Sequence, residues 1–277
     1  MPQSQREERP KQPVARITSR QHAVVKTFRA VARGDESRAL IDGWHLLHEA
    51  AASGLTIDMV ALAHPPDAPA DELLIRQLEP TGALVTVTSS VMDAVSPVRT
   101  PSGVVAIVQK RQWDFASLFT AQPSLVVLAV DLQDPGNAGA VIRSAEAGGA
   151  SGVILAGAST DAWNWKALRA AMGSTFRVPV LNERDPRAAL ERLRAAGLSV
   201  IATTPHDGAE MYDVDLAAPC VIVIGGEGPG LPPELLNHAN ERLRIPMAAG
   251  VESLNAAVAA AVVVYEAARQ RRTRQPG

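Results

Sequence analysis

Three short stretches of this chain concentrate residue types that do chemistry, and each follows a strand candidate. The first is Asp131-Leu-Gln-Asp-Pro-Gly-Asn137-Ala-Gly139-Ala-Val-Ile-Arg143-Ser144. Pro135 and Gly136 favour a tight turn, and Asn137 falls where a helix N-cap would, able to bond an orphan helix N–H. Arg143 lies about one and two-thirds turns further along. The second, Gly225-Gly-Glu227-Gly-Pro-Gly230-Leu231, follows the run CVIVI. Glycines there allow positive φ and close approach of a ligand to the main chain. The stretch is neither a P-loop, since no Gly-Lys-Ser/Thr follows, nor a G-x-G-x-x-G fingerprint. Its carboxylate, Glu227, accepts hydrogen bonds but cannot cradle phosphate. The third, Ile245-Pro-Met-Ala-Ala-Gly250-Val-Glu-Ser253-Leu254-Asn255, leads into an apolar helical segment. Ser253 suits its N-cap, whereas Asn255, a poor helix former, gains from a partner elsewhere.

The elements that must position these stretches follow from hydrophobic periodicity. An apolar run at 125–130 has the composition of a buried parallel strand. After it the spacing predicts a helix over 138–147, a strand over 152–155 and a helix over 163–172. A strand at 178–181, a helix at 186–196 closed by Gly197, and strands at 198–202 and 220–224 come next. A helix at 233–239, a strand at 242–245 and a long Ala/Val-rich helix at 254–269 complete the series. That alternation implies a mostly parallel sheet covered by helices on both faces, and in such sheets ligands gather at the strands' carboxyl ends. The last helix is apolar over more than one stripe, which predicts burial all round.

The region before it is a smaller α/β unit, 18–109. A helix starting at Thr18 carries Val24, Val25, Phe28 and Val31 on one face. Strands are expected at 39–41, 56–62, 84–87 and 104–108, with helices at 44–52 and 70–77. Residues 110–123 lack periodicity and are expected to be a linker; 1–17 form a disordered basic tail and 273–277 a second tail.

Composition limits the functional classes. Of 277 residues 47% are hydrophobic, enough for a sizeable core, and only 4% are aromatic. No apolar run approaches the roughly 18 residues of a membrane span, and the polar N-terminus lacks a signal peptide's apolar core. A single cysteine, Cys220, precludes an intrachain disulfide and favours a cytoplasmic setting; it is read as an inert core thiol. The six histidines are scattered without companion ligands, so no metal is expected. Net charge is −2, but the two ends are basic: Arg6, Arg9, Lys11, Arg16, Arg20, Lys26, Arg29 and Arg33 at one, Arg269, Arg271, Arg272 and Arg274 at the other. Such ends could contact phosphate or simply be solvated.

Taken together, Asn-x-Gly-x-x-x-Arg, then Gly-x-Glu-Gly-x-Gly, then Ile-Pro-Met with Ser-Leu-Asn resemble the signature of the SpoU/TrmH family of RNA ribose methyltransferases, in the knotted SPOUT class. The resemblance covers about residues 124–270. Residues 18–109 resemble, more loosely, the family's N-terminal RNA-binding module, a compact fold akin to small ribosomal proteins. The resemblance implies a methyltransferase domain over 124–272 with a C-terminal trefoil knot, a feature essentially absent from other folds. It implies S-adenosylmethionine as methyl donor, contacted through the backbone at Gly225, Ile245 and Leu254, with Thr203 a further candidate. It implies Arg143 as catalytic arginine, with Asn137, Glu227, Ser253 and Asn255 around the reacting centre. A guanidinium stays protonated in proteins, so stabilising developing charge suits Arg143 better than acting as base; Glu227 would fix either Arg143 or Asn137. It implies a homodimer, no metal and no membrane partner, and an RNA substrate, ribosomal RNA before transfer RNA. The competing readings are a generic Rossmann-type nucleotide enzyme and a catalytically inactive RNA-binding protein of the same fold. Trp163 and Trp165 pack into the core, or one of them stacks on a base.

Overall fold

The structure is a computed structural model, and it describes residues 14–228 and 230–274. The chain divides into two compact units between Gln109 and Lys110.

The first unit runs β1 (Ala15–Ile17), α1 (Ala23–Arg33), β2 (Arg38–Asp42), α2 (Trp44–Ala52), β3 (Ile57–Leu62), α3 (Pro69–Leu78), β4 (Leu84–Val87), α4 (Ser89–Val95) and β5 (Val104–Gln109). Its five-stranded sheet has the order β1-β4-β3-β5-β2. β1, β4 and β3 pair parallel, whereas β5 is antiparallel to both its neighbours. Val25, Phe28 and Val31 of α1 pack with Val91 and Met92 of α4 against Leu40, Val105 and Ile107 of the sheet. The helix expected from Thr18 begins only at Ala23, after His22, whose ring accepts a bond from the N–H of Val24. Within the expected tail, residues 15–17 instead form β1, because β4 offers them a parallel edge; residues 1–13 lie outside the described residues. α4 had gone unread, although Thr88 caps it through the N–H of Val91.

The second unit continues with β6 (Leu125–Val130), α5 (Pro135–Ala147), β7 (Gly152–Ala156), α6 (Trp165–Ala171), α7 (Ser174–Arg177), β8 (Val180–Glu183), α8 (Pro186–Ala195), β9 (Ser199–Thr204), β10 (Ala209–Glu210), β11 (Cys220–Gly225), α9 (Pro233–Leu236), β12 (Glu241–Arg244) and α10 (Ala256–Arg274). The seven strands are ordered β10-β12-β9-β11-β6-β7-β8, and every pairing is parallel. Side chains alternate faces along a strand. One set, including Val126, Leu128, Val130, Val200, Val221 and Val223, packs on Leu190 and Leu193 of α8. The other, Leu125, Val127 and Ala129, is equally buried and faces the side where α5 and α10 contact the sheet.

Residues 110–123 are no bare linker: Phe115–Phe119 form a 3-10 turn capped by Asp114, and Leu118 is buried in the sheet core. Nor is α10 buried all round. Ala260, Val263, Val264 and Ala267 are buried, while Val258 and Tyr265 are 48% and 53% exposed. The helix extends through Arg274, so Thr273 and Arg274 are not tail; residues 275–277 lie outside the described residues.

α10 is pinned to the sheet by a polar device. The Arg271 guanidinium donates to the carbonyls of Leu216 at 3.0 Å, Ala218 at 2.9 Å and Ser124 at 3.1 Å, and also to that of Pro123. These carbonyls flank the entries of β6 and β11. Gln270 adds bonds from Nε2 to the Val214 carbonyl and from the Leu216 N–H to its Oε1.

Candidate active site

β6 and β11 are neighbours in parallel register, with Val130 opposite Gly225. Their carboxyl ends therefore release two loops side by side. At the end of β6, Asp131 turns the chain with a φ of 57°, unusual for a non-glycine residue. Its carboxylate accepts the N–H of Ala158 at 2.7 Å, which helps to hold that turn. Against it lies Gly226, where a Cβ would stand 2.1 Å from the Asp131 carbonyl oxygen. The two loops touch main chain to main chain, and only glycine permits it.

That contact sets the polar centre. The Glu227 carboxylate accepts the Asn137 Nδ2 at 2.6 Å with one oxygen and the Gln133 N–H at 3.2 Å with the other. Asn137 Oδ1 in turn accepts the Asn255 Nδ2 at 3.1 Å. A chain of three side chains thus links the first turn of α5, the loop after β11 and the N-cap of α10, with Asn137 using its amide in both senses. Burial opposes ionisation of Glu227, but the Asn137 amide and backbone N–H donors outweigh it and hold the carboxyl below its ordinary value. Glu227 is therefore an ionised acceptor near neutral pH, suited to fixing a neighbour and unsuited to donating a proton.

Local structure explains each position. Asp134, not Asn137, is the N-cap of α5, accepting the Asn137 N–H at 2.8 Å, because Pro135 locks the first helical φ just after it. Asn137 thus sits within the first turn with its side chain released toward Glu227. Likewise Asn255, not Ser253, caps α10: its Oδ1 accepts the N–H groups of Ala257 at 2.9 Å and Val258 at 3.3 Å. Gly139 has a packing role, since a Cβ there would lie 2.3 Å from the Ala167 carbonyl of α6. α5 and α6 cross closely at that point.

Beside the polar centre is a cleft of about 360 Å³ at the ends of β9, β11 and β12. Thr203, Gly225, Ile245, Ser253, Leu254 and Asn255 line it, as does Glu227. Thr203 Oγ1 is committed to the Val223 carbonyl at 3.0 Å. The sequence reading missed Pro205, His206 and Asp207 at the rim; the exit of β9 was the signal that could have found them. Arg143 is not in the cleft wall. It is exposed on α5 and makes no hydrogen bond or ion pair among the described residues. Of the two partners considered for Glu227, the structure pairs it with Asn137.

The tryptophans separate. Trp163 is buried and stacks on Phe176 at 5.8 Å, whereas Trp165 is half-buried with the Lys166 ammonium over its ring at 5.5 Å. Cys220 is fully buried at the start of β11; burial pushes its thiol up, against a smaller opposing effect of Arg271. His48 bonds Asp71 at 2.6 Å and ties α2 to α3.

Fold and site define a parallel α/β protein whose polar cluster and cleft lie at the carboxyl ends of adjacent strands. The SpoU rRNA Methylase family model matches residues 124–265, and the chain belongs to that family. It is 33% identical over 226 residues to the 23S rRNA (guanosine(2553)-2'-O)-methyltransferase RlmP of Bacillus subtilis, covering 82% of this chain and 86% of that one. An uncharacterised tRNA/rRNA methyltransferase of Synechocystis is 31% identical, with 93% and 95% covered. Among solved structures, the AdoMet-bound rRNA methyltransferase from Sinorhizobium meliloti superposes with a TM-score of 0.83 at 30% identity, covering 95% of this chain and 99% of that chain.

Proposed function

We propose that this protein transfers the methyl group of S-adenosylmethionine to a ribose 2'-hydroxyl in ribosomal RNA. The observation that carries the reading is the Asn137–Glu227–Asn255 chain, built from three segments distant in sequence beside the cleft. The cleft suits the donor. Its volume is in the range of small-molecule sites, its wall mixes Ile224, Leu231 and Ile245 with Thr203 and Ser253, and its floor is glycine backbone. Gly225, Ile245, Leu254 and Thr203 would hold the donor, which supplies an electrophilic methyl group on a sulfonium.

The chain's own residues then have to place and activate a hydroxyl. A hydroxyl is a poor nucleophile until its proton leaves or its developing charge is stabilised. Arg143, cationic and without a hydrogen-bond or ion-pair partner among the described residues, would bond the 2'-oxygen or the adjacent phosphate and stabilise that charge. Glu227 holds Asn137 by a charge-assisted bond, and Asn255 fixes the other end of the same amide. Ser253 offers a hydroxyl at the cleft rim.

The same reading includes a homodimer, supported by the exposed Val258 and Tyr265 on the outer face of α10. It includes a trefoil knot, supported by the strand order and the return of α10 to the entries of β6 and β11. It assigns residues 18–109 to RNA binding, 124–272 to methyl transfer, and the protein to the cytoplasm, where ribosomal RNA is. The test is transfer of labelled methyl from S-adenosylmethionine to 23S rRNA, with ribose methylation mapped in cells with and without the gene. One missing 2'-O-methyl would name the site; an unchanged map with no label incorporated would sink the reading.

A further inference from the structure

Charge in the first unit is divided along the sequence. Residues 14–33 hold five Lys and Arg and no Asp or Glu, whereas residues 34–109 hold three Arg against ten Asp and Glu. Folding turns that division into a surface. On α1, Val25, Phe28 and Val31 are buried, while Lys26, Arg29 and Arg33 are exposed along a neighbouring stripe. Their i, i+3, i+7 spacing lines them along one stripe of about 10 Å. Arg20, exposed in the loop before α1, extends the positive charge past the helix's N-terminal end. Arg16 is excluded: Ile17 faces α1, so its neighbour on β1 points to the other side of the sheet.

These cations are also unspent. Arg20, Lys26 and Arg33 make no hydrogen bond or ion pair among the described residues, and Arg29 is held only by the Ala94 carbonyl at 2.9 Å. Asp93, on the adjoining α4, forms no ion pair with them. Of the other cations in the unit, Arg38 pairs with Asp35, His48 with Asp71 and Arg76 with Glu72, whereas Arg16 and Arg99 form no ion pair among the described residues. A solvated surface helix ordinarily mixes both signs; here one side has only cations, on a unit that is otherwise acidic.

We propose that the α1 stripe of Arg20, Lys26, Arg29 and Arg33 is the surface by which the first unit grips the RNA phosphate backbone. The proposal rests on the RNA-modifying reading and specifies which face of this unit serves it. The contact is electrostatic and independent of sequence, and the acidic remainder of the unit repels RNA elsewhere. Arg29 also positions the stripe through its bond to the α4 carbonyl.

The test uses the full chain, a short fluorescent RNA hairpin, and KCl titrated over about 50–200 mM. Each neutralised phosphate contributes about 0.7–0.9 to the slope of log K against log salt. Arg20→Ala/Lys26→Ala/Arg33→Ala spares the Arg29 bond and should reduce that slope by about 2. S-adenosylmethionine affinity, read by calorimetry, should stay unchanged. Arg20→Lys/Arg33→Lys should keep the original slope. An unchanged slope in the alanine variant overturns the proposal, and so does an equal loss in the lysine variant, which would mark a structural effect. Failure of S-adenosylmethionine to bind the unsubstituted protein would instead overturn the functional reading, while the salt slope would still be measured.

Discussion

The two units spend their polar residues differently. In the first, the sheet is mixed, the strongest charge lies along one side of one helix, and its cations form no ion pair among the described residues. In the second, all seven strands run parallel, so their carboxyl ends come together and deliver side chains from distant loops to one place. There the amides and the carboxylate are bonded to one another before any ligand arrives. The contrast teaches that docking a polyanion asks only for charge on an accessible face, whereas chemistry at one atom asks for several groups held in fixed geometry.

The sharpest way to break this comparison is at Arg143, which makes no hydrogen bond or ion pair among the described residues. Arg143→Ala should lower kcat about 100- to 1000-fold and leave S-adenosylmethionine affinity unchanged, as measured by steady-state methyl transfer and calorimetry. Arg143→Lys should recover little, since a point charge lacks the planar fork; near-normal turnover would show that charge alone suffices.

A structural test of the second unit comes next. Arg271→Met strips a guanidinium from four backbone carbonyls at the strand entries and should cost about 2–4 kcal/mol in urea unfolding. No loss would mean that the apolar face of α10 alone secures the C-terminal segment.

A milder disturbance is Asn137→Ala. Burial raises the Glu227 pKa, but the Asn137 amide and backbone N–H donors outweigh it and hold the carboxyl below its ordinary value. Its folded-state pKa is depressed, so what it contributes is present at neutral pH and lost as pH falls through that depressed value. Removing the amide should raise the pKa and move the acid limb of the kcat/KM profile to higher pH, with activity about tenfold down. An acid limb that stays in place would detach Glu227 from the reaction.

The smallest effect is expected in the first unit. Ser96→Ala removes one hydroxyl donor to Asp42, a bond of 2.7 Å, and should cost about 1 kcal/mol. Hydrogen exchange should register it in β2, and S-adenosylmethionine affinity should not change. A large loss of affinity would contradict the division of labour between the units.

How far the sequence could be read varied with the range of the interactions. β6 and β11 were legible because a strand buried on both faces is apolar throughout, and their turns carry Pro and Gly. β1 was not, because three residues become a strand only when β4 supplies the edge. Residues 115–119 passed for linker because their helical turn is short, although Asp114 was a readable cap. Both cap assignments slipped by a few residues. Asp134 and Asn137 are each good caps, and Pro135 decides between them; Asn255 wins over Ser253 because α10 begins later than its apolar pattern.

The sequence by itself determined the α/β alternation, the family and the identity of the polar residues, since these depend on local composition and on motif order. It also determined the charge division of residues 14–109. Only the tertiary structure decided that Asn137 bonds Glu227 and Asn255, partners 90 and 118 residues away, and that Arg143 stands apart from them. The physical reason is strand order: pairing β6 with β11 and bringing the start of α10 to their carboxyl ends is a long-range choice that no local periodicity encodes. The parallel sheet made a site of three segments that are far apart in sequence.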